Sequence, residues 1–273
     1  MELRKTELAL SRLSPDPYRL KMHEPFAAAT IYPMKGAQAR SLRLHIGAHK
    51  TGSKSLQHVL RTRSQDLDSL GFRLFNSAIR IGESRVAGED GWAHEIPLAI
   101  IRSSLDYPLR DSARVRGQTD RKHFIAHCSQ EFQRDDPILI ASHENLSFAR
   151  FEWELLPLAK MLDSAQRACT VVLVLRDPAS WLPSWESQLA RMGRAAGSRD
   201  RNSIEFNGPQ SWLFDWENLV KIYRNVFGSE SLIIVNYEDA VKRDSSTVPS
   251  VLDGLGVGRG NLGALNEAWL NSR

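Results

Sequence analysis

Residues 42–56 read L-R-L-H-I-G-A-H-K-T-G-S-K-S-L. The alternation of Leu42, Leu44 and Ile46 predicts a short buried strand. Gly47 and Gly52 bracket a tight turn, and a helix opens near Ser53. A strand that feeds a glycine turn into a helix N-terminus makes an anion site. The first helical turn has unpaired backbone N–H groups, and the helix dipole places partial positive charge there. Glycine removes the Cβ that would hold a phosphate away from the backbone. Lys50 adds a mobile cation, and Thr51, Ser53 and Ser55 add hydroxyl donors. The reading is a phosphate-cradling loop; a glycine turn that merely joins strand to helix is the plain alternative.

Outward from this loop, strand-like and helix-like segments alternate. Leu56, Val59, Leu60, Leu67 and Leu70 keep helical spacing up to Gly71, and Phe72–Phe75 predicts a second strand. Residues 76–90 read as a loop, 92–104 as a helix, the next stretch as an Arg/Asp-rich connection, and 119–133 as another helix. Pro137–Ala141 is a continuous apolar run, the pattern of a buried parallel strand, with Ser142, His143, Glu144 and Asn145 at its end. A helix over 151–166 precedes the strand Thr170–Leu175. Asp177-Pro178 then starts a helix to Met192, with Asp as cap and Pro at the first helical position. Residues 193–208 read as a mobile loop, Pro209 opens a helix to Phe227, and Leu232–Val235 is the last strand, followed by Tyr237, Glu238 and Asp239. The expectation is an α/β, P-loop NTPase-like three-layer fold with a central parallel sheet. Residues 1–40 read as an N-terminal extension and 41–273 as one domain.

The totals fit this frame. A chain of 273 residues, 42% hydrophobic and 25% charged, buries a full core. A net charge of +4 suits anionic ligands and is too small to imply nucleic acid. Cys128 and Cys169 have neither metal nor redox spacing, and they read as reduced thiols. No apolar run reaches membrane-span length, and the N-terminus lacks an uninterrupted apolar signal segment, so a cytoplasmic protein is expected.

Two comparisons decide what kind of phosphate is expected. The Walker A pattern places lysine directly after the second glycine, and here Ser53 stands there. One inserted residue would bring in Lys54, displaced by about 100° around the helix. The 49–56 string H-K-T-G-S-K-S-L instead resembles the phosphosulfate loop of the PAPS-dependent sulfotransferases. In that family a lysine precedes the second glycine and hydroxyl residues follow it. Arg176, at the end of the strand 170–175, and Ser184, eight residues later, resemble the family's arginine and serine that hold the 3′-phosphate.

This resemblance implies a bacterial sulfotransferase that moves a sulfuryl group from PAPS to a hydroxyl or amine and leaves PAP. The acceptor implied is a carbohydrate or glycolipid, and no metal is implied. His49, Lys50, Thr51, Gly52, Ser53, Lys54, Ser55, Arg176 and Ser184 would hold the nucleotide. Lys50 would stabilise leaving-group charge, with Glu144 or His143 as the base. Trp181 and Trp185, one turn apart, read as core anchors rather than as stacking platforms. Arg191, Arg194, Arg199 and Arg201 either steer an anionic acceptor or belong to a solvated loop. The glycines between 254 and 263 do not match the family's closing segment. A P-loop kinase or NTPase, and a non-catalytic nucleotide- or glycan-binding relative, remain the alternatives.

Overall fold

The computed structural model describes residues 40–78, 92–115, 120–208, 210–258 and 261. The N-terminal extension up to residue 39, most of the 76–90 loop, Pro209 and Arg259 lie outside the described residues. The chain forms a five-stranded sheet of β1 (Ser41–His45), β2 (Phe72–Leu74), β3 (Ile138–Ser142), β4 (Ala168–Leu175) and β5 (Leu232–Asn236). The spatial order is β2-β3-β1-β4-β5, and every neighbouring pair is parallel. Parallel strands need crossovers, and helices supply them on both faces.

Side-chain alternation along the strands sorts the core into two halves. Val171 and Leu173 of β4 face one cluster with Leu42, Leu44, Trp181, Trp185 and Tyr223. Val172 and Val174 face the other, which holds Leu56, Leu60, Val248 and Leu252. The first half is covered mainly by α3 (Glu95–Ile100), α5 (Arg121–Phe132), α6 (Glu152–Ser164), α7 (Pro178–Arg191) and α8 (Trp216–Phe227). The second is covered by α1 (Ser53–Thr62), α2 (Ser64–Ser69), α9 (Tyr237–Asp244) and α10 (Val248–Gly254). The three-layer expectation holds.

Several boundaries differ from the sequence reading, each for a local reason. The helix expected over 92–104 is confined to Glu95–Ile100. The Arg110 guanidinium donates to the carbonyls of Ile101, Arg102 and Leu105, and Arg121 donates to that of Ala99, so these acceptors need no further helical turn. The Arg/Asp-rich connection instead contains α4 (Pro108–Val115), opened by a proline at its first position. Between α1 and α2 the helix breaks at Arg63, after Thr62 turns its hydroxyl back onto the His58 carbonyl. The helix expected from Pro209 is two pieces, a 3₁₀ turn at Trp212–Phe214 and α8. Asp215 restarts the chain by accepting from the Asn218 N–H at 3.0 Å. The 193–208 segment is folded against α7: Ile204 is buried, and its carbonyl accepts the Trp185 indole N–H at 3.0 Å.

Candidate functional site

Strand order fixes where the site lies. The chain leaves β1 toward β2 on one side and leaves β4 toward β5 on the other. The carboxyl ends of adjacent β1 and β4 therefore open a crevice, the position where parallel α/β sheets bind ligands. The glycine loop follows β1, and Arg176 follows β4.

The loop is stitched to β4 before it turns away. Ile46 and Ala48 donate to the carbonyls of Val172 and Val174, and the Val174 N–H donates back to Gly47 at 2.6 Å. Lys50 has φ 62°, the left-handed region that non-glycine residues seldom occupy. Gly52 caps α1 at φ 93°, and a Cβ there would stand 2.6 Å from Thr247 Oγ1. That hydroxyl donates to the Thr51 carbonyl at 2.7 Å, so the residue just before α10 buttresses the loop. Thr51 Oγ1 donates to Ala48 O at 2.6 Å and closes the turn from within. The Trp181 indole donates to the His49 carbonyl at 2.7 Å. Trp181 and Trp185 are both buried and stacked 5.3 Å apart, as core anchors should be. Each such ring hides on the order of 200 Å², worth roughly 5 kcal/mol before entropy.

Arg176 reaches the loop directly. Its Nη1 donates to the Lys50 carbonyl at 3.0 Å and its Nε to Ser180 Oγ at 3.1 Å, while its guanidinium lies 4.5 Å from the Tyr237 ring centroid. Ser180, one turn before Ser184 on the same face of α7, is thus the serine bonded to Arg176; Ser184 is half-buried. Glu238 braces the turn, accepting from the Asp177 N–H and the Ser180 hydroxyl. Asp177 itself is spent as the α7 cap, accepting from the N–H groups of Ala179 and Ser180.

The electrostatics of the loop are one-sided. Burial lowers the Lys50 pKa, and Arg191, Lys54 and Arg176 lower it further. Among the described residues none of these four cations pairs with a carboxylate. Ser53 Oγ, nine-tenths buried beside them, has no hydrogen-bond partner there, and neither has His49 Nε2. A centre with surplus positive charge and an uncommitted buried hydroxyl at a helix N-terminus suits a phosphate or sulfate group. Lys54 and Ser55 continue the first turn of α1, Lys54 exposed and Ser55 half-buried. Arg194 is not part of this surplus, since Glu205 and Asp106 lie 3.1 and 3.4 Å from it. Arg199 and Arg201 are exposed on the folded loop.

The end of β3 brings the two candidate bases beside the loop. A Cβ on Gly47 would lie 3.0 Å from the Glu144 Cα, so glycine is what lets these segments touch. Glu144 is half-buried, and its Oε2 accepts from the Gln57 amide at 3.2 Å. Burial pushes the Glu144 carboxyl up. His143, His49, a backbone N–H and the Gln57 amide outweigh that and pull it down to about 2. His143 is buried, and both its ring nitrogens are engaged. Nδ1 accepts from the Asn145 N–H at 3.2 Å, and Nε2 lies 3.0 Å from His94 Nδ1. The first bond requires a bare Nδ1 and places the neutral ring's proton on Nε2. His49 stacks on Phe148 at 4.5 Å between ring centroids, and His45 Nδ1 lies 2.9 Å from Ser142 Oγ. The sequence reading named the loop, Arg176, Ser184, Glu144 and His143. It lacked Gln57, Ser180 and Thr247, whose side chains carry no motif of their own.

These buried groups make the protein acid-labile. Burial above all lowers His45 and His49 to about 4, below the ordinary 6.5. The unfolded chain therefore takes up protons first, and stability that is complete above pH 6.5 is lost as pH falls toward 4. The loss is about 3 kcal/mol per histidine. Glu144 acts in the same direction, its contribution fading between about 4.5 and 2. His143 is lowered by burial in the same sense, so denaturant unfolding from pH 7 to 4 should show a slope of at least two protons per chain; a flat profile above pH 4.5 would contradict the burial argument.

Among the described residues no helix is long and apolar enough to cross a membrane, and no group of three or more His, Cys, Asp or Glu side chains is placed to hold a metal ion. Cys128 and Cys169 are free thiols, both pushed up by burial.

The fold and loop define an all-parallel α/β protein whose crevice, at the carboxyl ends of β1 and β4, is flanked by the glycine loop and Arg176. No protein-family model and no curated protein sequence matches the chain. Among solved structures the chain is similar to a sulfotransferase from Alicyclobacillus acidocaldarius, with 16% identity and a TM-score of 0.48, over 85% of this chain and 88% of that one.

Proposed function

We propose that this protein is a sulfotransferase that takes a sulfuryl group from PAPS and gives it to a hydroxyl or amine, with a carbohydrate or glycolipid as the acceptor class. The observation that carries the reading is the meeting of the two anion motifs. Arg176 donates to the carbonyl of Lys50, inside a cluster of cations that pair with no carboxylate among the described residues. A nucleotide with phosphate groups at both ends of its ribose suits two linked sites better than one. Ser53 Oγ, buried and without a partner, fits a phosphate oxygen.

In this reading the backbone N–H groups from Thr51 to Ser55 and the Ser53 hydroxyl hold the 5′-phosphate, and Arg176 with Ser184 holds the 3′-phosphate. The bound donor supplies an activated sulfuryl group. In the same reading Lys50 neutralises charge growing on the bridging oxygen, and its depressed pKa keeps its proton transferable. Glu144, anionic at neutral pH, accepts the proton of the acceptor. His143 cannot share that role in this arrangement, because its one acceptor nitrogen already serves the Asn145 N–H. The carbohydrate acceptor rests on the resemblance of a glutamate base to that of carbohydrate sulfotransferases. Against the NTPase alternative, Arg176 follows β4 where an acidic residue would be wanted. The next acid, Asp177, is consumed as a helix cap.

Calorimetric titration with PAP beside ATP and Mg²⁺ tests the donor. Binding of PAP with little response to ATP is expected. ATP binding without PAP binding would replace the reading by the kinase alternative, and PAP binding without turnover across an acceptor screen would favour a binding protein.

A further inference from the structure

Gln57 lies on α1, one helical turn beyond the cap region, and is 1% exposed. Its Nε2 donates to Glu144 Oε2 at 3.2 Å and to Ser142 Oγ at 3.4 Å, while its Oε1 is buried without a partner among the described residues. Glu144, ionised, can only accept, so the amide nitrogen must face it and the amide oxygen must face elsewhere. A buried, unpaired amide oxygen is left with its desolvation uncompensated. A leucine or methionine would fill the same space without that cost. The amide is therefore placed for its nitrogen.

The chain continues inward with one polarity. Gln57 N–H donates to Ser142 Oγ, and the Ser142 O–H is left to donate to His45 Nδ1 at 2.9 Å. His45 is buried and neutral, and Nδ1 accepts this bond in the tautomer that carries the ring proton on Nε2. The far end of this chain is anchored in the sheet: His45 ends β1, and Ser142, paired with it across the ladder, ends β3. Gln57 thus links a rigid strand pair to the Glu144 carboxylate beside the glycine loop.

We infer that Gln57 is a positioning residue that fixes the orientation and the anionic state of Glu144 at the acceptor side of the site. This rests on the reading of Glu144 as the proton acceptor. It goes beyond that reading by assigning a residue just past the first turn of α1 to control of that carboxylate.

Gln57→Met, which keeps the volume and removes the donor, and Gln57→Glu, which sets a second carboxylate against the first, test it beside wild type between about pH 5 and 8, where the buried histidines stay neutral in the fold. In both variants kcat at pH 7 should fall about tenfold, while the Kd for PAP stays within about twofold of wild type. In Gln57→Glu like charge raises one of the paired carboxyls, so its kcat should acquire an acid limb above about pH 5 that Gln57→Met and wild type lack. Unchanged kcat in both variants overturns the inference, as does an unchanged pH profile in Gln57→Glu. If wild type fails to bind PAP, the donor assignment falls instead, and the carbon-13 shift of the Glu144 carboxyl at pH 7, identified by its loss in Glu144→Gln, decides whether Gln57 governs that carboxylate. Should Gln57→Met fail to fold, Gln57→Glu carries the test.

Discussion

Lys50→Ala should reduce turnover by about 10²–10³-fold or more while leaving the fold intact, the loss expected when one donor to a developing oxyanion is removed. The fold should survive because the backbone cost stays the same: Lys50 sits at φ 62°, and alanine bears the same left-handed penalty. Stability should even rise slightly. Lys50 is surrounded by Arg191, Lys54 and Arg176, each of which lowers its pKa, so deleting it relieves like-charge repulsion in the empty site. Lys50→Gly should be more stable still, since it removes the φ penalty as well, and equally inactive. Thermal melts and single-turnover rates measured side by side would show this inverse relation. Full activity in Lys50→Ala would end the reading of this loop as catalytic.

Arg176→Ala should raise the Kd for PAP by about 10²-fold, in line with losing charge-assisted hydrogen bonds worth about 1.5–3 kcal/mol each. The structure adds a second consequence. Because Arg176 Nη1 donates to the Lys50 carbonyl and its guanidinium lies against Tyr237, the substitution also loosens the glycine loop. Binding of AMP, which lacks the 3′-phosphate, should therefore weaken by several-fold too. Arg176→Lys should recover only part of the loss, since an ammonium cannot present a planar fork while stacking on a ring. The effects of Arg176→Ala and Lys50→Ala should be non-additive, as the two residues share a contact. Unchanged PAP affinity in Arg176→Ala would remove the β4 turn from the ligand site. Unchanged AMP affinity would show that its two roles are separable.

What was legible in the sequence is what a few neighbouring residues decide. The alternation of Leu42, Leu44 and Ile46, the paired glycines at 47 and 52, and Asp177-Pro178 as cap and first helical residue are local signals. The structure reproduces each of them. They suffice for an α/β chain with an anion loop, and they put Lys50, Arg176 and Glu144 at strand ends. Local signals also misled where side chains from elsewhere settle the backbone. Arg110 and Arg121 satisfy carbonyls at the end of α3 and shorten it, and the Asp215 side chain divides the helix expected from Pro209.

Tertiary structure alone decided how the pieces meet. The order β2-β3-β1-β4-β5 carries Arg176 onto the carbonyl of a residue 126 positions earlier, and Gln57 onto a carboxylate 87 positions later. No periodicity encodes such pairings. Strand order follows from which faces can be buried together, a property of the whole core and not of any segment. The same physics gives two neighbouring side chains different surroundings. His143 and Glu144 are adjacent in sequence. Only the packed structure gives the histidine's acceptor nitrogen to a backbone N–H and leaves the carboxylate beside the loop.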